Sequence, residues 1–308
     1  MRSLLHALSA ALLAGGVILS AGQQGQGTTP APWPLSNPIR ERGSSITGAY
    51  EGWFYNKDGS QSLLVGYFNR NTKQELDIPV GPNNRIEPGG PDLGQPTHFL
   101  AGRQFGVFSI KVPKDFGTKE LTWTIVANGQ TNTITMHTRP DWIVEPFEDP
   151  ANKNTPPVIR FGRDTTPYTG PPAAIAATYT ATSGTPLPLT AWATDEGPKI
   201  NVPDAPRPSR DRGRGAAGAA GPPAPPRLAI VWSVFRGPGA VGFDNPRPAI
   251  DAAHDGKTTA SATFTVPGEY ILRLQANDST GDGGSGFQCC WTNVHVAVTV
   301  KPSGATTP

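Results

Sequence analysis

TASATFTVPGEYILRLQAND, residues 259–278, and VHVAVTV, residues 294–300, decide the fold. Ala260, Ala262, Phe264 and Val266 alternate with Thr259, Ser261, Thr263 and Thr265. Pro267-Gly268 then breaks the run, and Tyr270, Leu272, Leu274 and Ala276 alternate again. Val294, Val296, Val298 and Val300 close the pattern. A period of two bounded by Gly and Pro is the mark of strands with one buried face. Working backward, WSVFRGPGAVGF begins at Trp232, with Ile230, Trp232 and Val234 on one side. Leu187, Leu189, Ala191 and Ala193 supply a further face, and Val158–Phe161 an opening strand. Such faces meet in one core between two sheets.

The first half reads the same way. AYEGWFY and SLLVGYFN flank the turn Asn56–Ser60, and Asn69–Thr72 makes the next turn before Leu76, Ile78 and Val80. QFGVFSIKV and ELTWTIVANGQTNTITMHT follow, and Asn128-Gly129 signals a hairpin because both residues reach positive φ cheaply. Between them, Gly81–His98 is rich in Gly and Pro, and a loop of that length in a compact domain is usually functional or disordered. The expected class is all-β, two β-sandwich-like domains, the second immunoglobulin-like.

Composition agrees. Apolar residues make up 36%, while 36 Gly and 34 Pro favour short strands and many turns. A net charge of +2 gives no global drive toward nucleic acid. Arg2, the short apolar run Ala7–Leu19 and the small residues Ser20, Ala21 and Gly22 read as a signal peptide, residues 1–22. Cleavage there predicts a secreted, periplasmic or cell-surface protein with no membrane span in the mature chain. Residues 23–45 form a flexible leader, 46–147 an N-terminal all-β domain, 148–155 a linker and 156–301 the second domain. Residues 302–308 are a loose tail. The Pro/Gly/Arg tract 197–227, too poor in large apolar side chains to offset ordering entropy, reads as a disordered insertion.

PPVIRF, the strand ending Asp195-Glu196-Gly197, WSVFRGPGAVGF and ATFTVPGEYILRLQAND together resemble bacterial immunoglobulin-like domains of the polycystic-kidney-disease (PKD) type, over about residues 155–301. The tract between the second and third strands departs from that family. So does Arg236-Gly237-Pro238-Gly239, where an aspartate-glycine pair often follows the tryptophan strand. The resemblance implies an extracellular spacer or recognition module. Fold alone does not assign an activity.

Candidate site residues fall in three groups. Trp53, Tyr55 and Tyr67 are candidates for a sugar-stacking platform, against a competing reading as core. Asn83, Arg85, Asp92, His98 and Arg103 in and beside the long loop could add polar contacts. Asp195, Glu196, Asp278 and Asp282 are brought to one end of an immunoglobulin-like sandwich by its loop order, and Asp278, Thr280 and Asp282 hold part of a calcium-loop spacing. That spacing lacks the terminal Glu, so Ca²⁺ is a minor expectation and a solvated glycine turn the competing one. Cys289 and Cys290 are adjacent. A vicinal disulfide needs a distorted backbone, because trans neighbours lie only ~3.8 Å apart. A buried and exposed thiol pair and an intermolecular bridge stay open beside it.

No G-x-S-x-G, H-E-x-x-H or phosphate-binding loop is present. His295 and His137 read as surface residues, and only His98 as a catalytic candidate. The expected function is therefore a non-catalytic binding or scaffold protein, with no catalytic residues and no cofactor beyond that calcium. Polysaccharide or a cell-envelope protein is the expected partner, and nucleic acid is not. The alternatives are an adhesive surface protein with protein partners only, and a hydrolase or lyase using the loop around His98.

Overall fold

The computed structural model describes residues 39–150, 153–197, 228–278 and 289–304. Residues 1–22, expected to be a signal peptide, and most of the 197–227 tract lie outside them. The described residues are strands and turns, with 3-10 turns at Pro140–Trp142 and Ala252–His254. No helix among them is long and apolar enough to cross a membrane.

In the first sandwich, β1 (Ile46–Tyr55) and β2 (Gln61–Asn69) pair as a hairpin, joined by β6 (Gly102–Val112). Facing them, β4 (Asn84–Glu87), β7 (Leu121–Ala127) and β8 (Gln130–Met136) make a second sheet. The β7–β8 hairpin turns at Asn128 and Gly129, both at positive φ (49° and 74°). β3 (Leu76–Asp77) and β5 (His98–Phe99) form a small ribbon beside this sandwich. Ile46, Leu63, Val65, Ile86, Phe108 and Trp123 fill the core between the sheets.

The Gly81–His98 segment is ordered, through polar side chains that look like loop residues in sequence. Asn84 is fully buried; its Nδ2 donates to Ile78 O (2.9 Å) and Pro96 O (2.7 Å), and its Oδ1 accepts from Trp123 Nε1 (2.9 Å). Buried Gln95 donates to Pro91 O (2.7 Å) and accepts from Leu93 N (2.9 Å). Two amides thus supply the loop with the partners its backbone would otherwise lack.

The second sandwich begins with β9 (Val158–Arg160), β10 (Ile175–Thr182), β11 (Leu187–Thr194) and β12 (Leu228–Arg236). It ends with β13 (Val241–Phe243), β14 (Lys257–Phe264), β15 (Gly268–Asp278) and β16 (Trp291–Lys301). The sheets run β13-β14-β11-β9 and β10-β16-β15-β12. That is the immunoglobulin order: first, second, fifth and fourth strands in one sheet; third, sixth and seventh in the other. β10 lies parallel to β16 and was not expected: its Ala/Thr-rich sequence buries only Ala181, so no alternation announces it. Leu189, Ala191, Ile230, Trp232, Phe264 and Leu272 belong to the core. Val266, expected on the buried face, is 41% exposed at the turn.

The other faces of β12, β15 and β16 are largely covered, with Ser233, Phe235, Arg273, Trp291 and Asn293 buried. They pack on the outer face of β1-β2-β6, and all described residues belong to one unit spanning Asn37–Pro308.

Candidate functional site

Period two sends Ser233, Phe235, Arg273, Trp291, Asn293 and His295 to the face opposite the second core. Strand register lines up Ser233, Arg273 and His295 across three strands. The first sandwich presents Glu51, Gln104 and the backbone of Phe105–Val107. Arg273 Nη2 donates to Gln104 Oε1 (2.6 Å). Asn293 Nδ2 donates to Phe105 O (3.2 Å) and Gly106 O (3.0 Å). His295 Nε2 lies 3.1 Å from Val107 O, which assigns the proton to that nitrogen. Phe235 stacks on the imidazole, with ring centres 4.1 Å apart.

Gly106 shows how close the approach is. Its φ is +52°, and a Cβ there would stand 1.7 Å from the Trp291 ring. Trp291 packs with Phe54 and Leu64 in an apolar cluster of its own at the joint. Glu51 accepts from Arg103 Nη2 (2.6 Å) and from Gly106 N (2.8 Å).

The charges here are costly. Burial raises the Glu51 carboxyl despite Arg103 and the Gly106 amide, and burial lowers Arg273. Burial likewise pulls the His295 imidazole down to about 3, aided by the nearby Arg273 and Arg236 charges. His295 is therefore a neutral joint residue, not a surface one. His137 is also buried, under the ring of Trp142. A polar residue at an outward position looks the same in sequence whether water covers it or, as at His295, a second sandwich or, as at His137, the rings of Tyr50 and Trp142.

At one end of the joint lies a cleft of about 300 Å³, lined by Glu75, Asp77 and His98 from one sandwich and Trp232, Val241 and Phe243, among others, from the second. His98 Nδ1 meets Asp77 Oδ1 (2.7 Å) and Nε2 meets Glu75 Oε2 (3.0 Å). Burial pulls this imidazole down, but the two carboxylates outweigh it and the net shift is upward. Its hydrogen bond to His98 lowers Glu75.

The other candidates are dispersed. Asp92 is gripped by Arg236 Nη1 (3.0 Å) and Nη2 (2.7 Å), tying the long loop to β12. Arg103 serves Glu51, so neither joins His98. Arg85 is held by Glu87 (2.9 Å), and Asn83 sits exposed in a turn. Trp53 and Tyr67 are 3% and 1% exposed, so neither ring is free to stack on a ligand. A bulge between Tyr50 and Gly52 turns Trp53 into the core, where its Nε1 donates to Arg139 O (2.7 Å). Tyr55 alone of the three is open, at 59%; Trp142 (42%) and Ile143 (51%), which the sequence did not single out, complete an exposed apolar rim.

At the end of the second sandwich, Asp195 is raised by burial and then by Asp278, whose carboxylate accepts from Asn154. Asp195 and Glu196 line a separate cleft with Arg160 and Phe147. Asp282 lies outside the described residues, which hold no group of three or more His, Cys, Asp or Glu placed to share a metal. Cys289 and Cys290 are joined to each other and are 4% and 1% exposed.

No family profile matches the chain, and no curated protein does. Among solved structures, domains 4 and 5 of the S-layer protein SbsC are similar at 12% identity, covering 83% of this chain and 98% of that one, with a TM-score of 0.23. The D00-D0 domain of intimin is similar at 10% identity, covering 83% and 100%, with a TM-score of 0.24. The titin Ig tandem domains A164-A165 are similar at 7% identity, covering 84% and 100%, with a TM-score of 0.22. At such scores these likenesses carry no weight, and the fold rests on the strand order.

Proposed function

We propose that this chain is an exported, non-catalytic scaffold and recognition protein whose partner is cell-envelope polysaccharide. The observation that carries the reading is the buried polar joint. Domains in one chain move relative to each other unless their interface is extensive and well buried. Here Glu51, Arg273 and Asn293 are all under 7% exposed between the sandwiches. Buried charge adds little net stability but penalises every other docking geometry. A fixed mutual pose suits a protein that holds and presents.

The histidine at the cleft supports the same reading. Both ring nitrogens of His98 face carboxylates, which favours the imidazolium, and an imidazolium cannot act as a general base. The PKD-like reading of the second sandwich belongs here too, as the spacer of the pair. One observation favours a second reading, adhesion through protein partners: the exposed rim of Tyr55, Trp142 and Ile143.

Co-sedimentation with isolated envelope polysaccharide tests the proposal. Retention of the folded protein on polysaccharide stripped of protein is expected. Retention only by envelope proteins would transfer the function to the adhesive reading, and absence of retention by either would overturn both.

A further inference from the structure

The second sandwich leaves one long strand edge uncovered. β9 and β13, which end one of its sheets, have 3 residues each. β12, at one end of the other sheet, is covered: Thr97 N donates to Phe235 O (3.1 Å) and Trp232 N to Pro246 O (2.8 Å). β10 stands at the opposite end, has 8 residues and pairs only with β16 among the described strands. Successive residues of a strand turn their N–H and C=O groups to opposite sides. Ser183 N donates to Lys301 O (2.9 Å), so odd-numbered residues serve β16 and even-numbered ones face outward. On that outer side Ala176 O accepts from the Tyr168 hydroxyl (3.1 Å), and Thr182 O accepts from Thr185 N (3.0 Å). Between them, the N–H and C=O of Thr178 and Thr180 meet no partner among the described residues. Both side chains are exposed as well.

An open edge invites a further strand, and chains usually guard theirs with charge, proline or a bulge. This one is unguarded. No Asp, Glu, Lys or Arg occurs from Thr165 to Thr194, in a chain that is 16% charged. No proline falls within β10, and its bulge, between Ile175 and Ala177, precedes the open stretch. A second copy of the chain fits this edge best. About a two-fold axis at Tyr179, β10 meets itself antiparallel with Thr178 opposite Thr180 of the second copy. Each such pair exchanges both of its N–H···O bonds, so every outward group of the two threonines is satisfied. Threonine opposite threonine is itself a favourable cross-strand pair. A two-fold contact also sets like against like, and a charged strand would repel its own image. Here there is no charge to repel, and none to attract a basic or acidic strand from elsewhere. We propose that β10 is a homodimerisation edge, which joins the β10-β16-β15-β12 sheets of two copies into one continuous sheet. The pairing is independent of the polysaccharide reading, and it doubles whatever surface each copy presents.

The test is sedimentation equilibrium on the full mature chain, with amide exchange followed residue by residue across a concentration series. Wild type is expected to dimerise, and the Thr178 and Thr180 amides to exchange more slowly as concentration rises. The double variant Thr178→Lys/Thr180→Lys sets lysine against lysine twice and is expected to weaken dimerisation about tenfold or more. Both side chains are exposed, so its circular dichroism and unfolding midpoint should match wild type. Asp141→Lys makes the same change in net charge at an exposed site on the first sandwich and should leave dimerisation intact. A chain that stays monomeric at every concentration overturns the proposal. So does a dimer in which exchange at Thr178 and Thr180 ignores concentration, or one that Asp141→Lys weakens as much as the double variant does. Should the double variant fail to fold, the wild-type amides alone decide the matter.

Discussion

Acid should loosen the joint through one imidazole. His295 is neutral in the folded protein, its value drawn down to about 3 by burial first and by Arg273 and Arg236 second. The groups facing it are Phe235 and Arg236 of β12, Arg273 of β15 and the Val107 carbonyl of β6. In the unfolded chain the same ring titrates near ~6.5. Between those values the unfolded state holds the extra proton, so stability falls as pH falls. The limiting slope is about 1.4 kcal/mol per pH unit. From pH 6.5 to 5 that sums to about 2 kcal/mol, reduced to about 1–2 because the ring keeps some solvent contact. His295→Gln keeps an N–H for Val107 and removes the titration. Guanidinium unfolding of both proteins at pH 7, 6 and 5 gives a double difference that cancels the joint's other titrating groups, Glu51 among them. Wild type should lose about 1–2 kcal/mol more than His295→Gln by pH 5. Parallel pH curves would refute the neutral buried assignment.

Gly106→Ala forces a Cβ into the Trp291 ring at 1.7 Å and a side chain onto a φ of +52°; overpacking plus left-handed strain should cost about 3 kcal/mol or more, read by denaturant unfolding. Glu51→Ala strips Arg103 of its carboxylate, removes a nearby negative charge from Arg273 and leaves the Gly106 amide unpaired, and should cost about 3 kcal/mol, with Glu51→Gln milder because it keeps an acceptor. Asn84→Ala removes the partners of Trp123 Nε1, Ile78 O and Pro96 O; a loss of about 3 kcal/mol should come with faster amide exchange at Ile86, whose N–H bonds to Pro91 O.

Much of the architecture is legible in the chain because its signals are local. The alternation at Ala260–Phe264 and Val294–Val300 and the Asn128-Gly129 turn each report on a single strand or hairpin. The joint is not local. Arg273, Asn293 and His295 occupy positions that alternate with core residues, and polarity there ordinarily means solvent. One signal was available: Phe235, Ile271 and Trp291 share that outward parity, and large apolar side chains on a supposedly wet face point to a covered one. Trp53 and Tyr67 were harder, since a bulge decides the side Trp53 takes and no sequence rule places bulges. Asn84 and Gln95 read as loop polarity because only the folded chain shows which carbonyls they serve.

The doubly covered strand β16 bears on how this protein can change. Its even-numbered members from Val294 onward serve the second core, while Trp291, Asn293 and His295 serve the joint. A strand with one wet face forgives substitution at every other site. Saturation mutagenesis across Trp291–Val296 should instead show an unbroken block of intolerance, with the two-residue rhythm of permissive sites returning only beyond Ala297, where the neighbouring sandwich has been left behind.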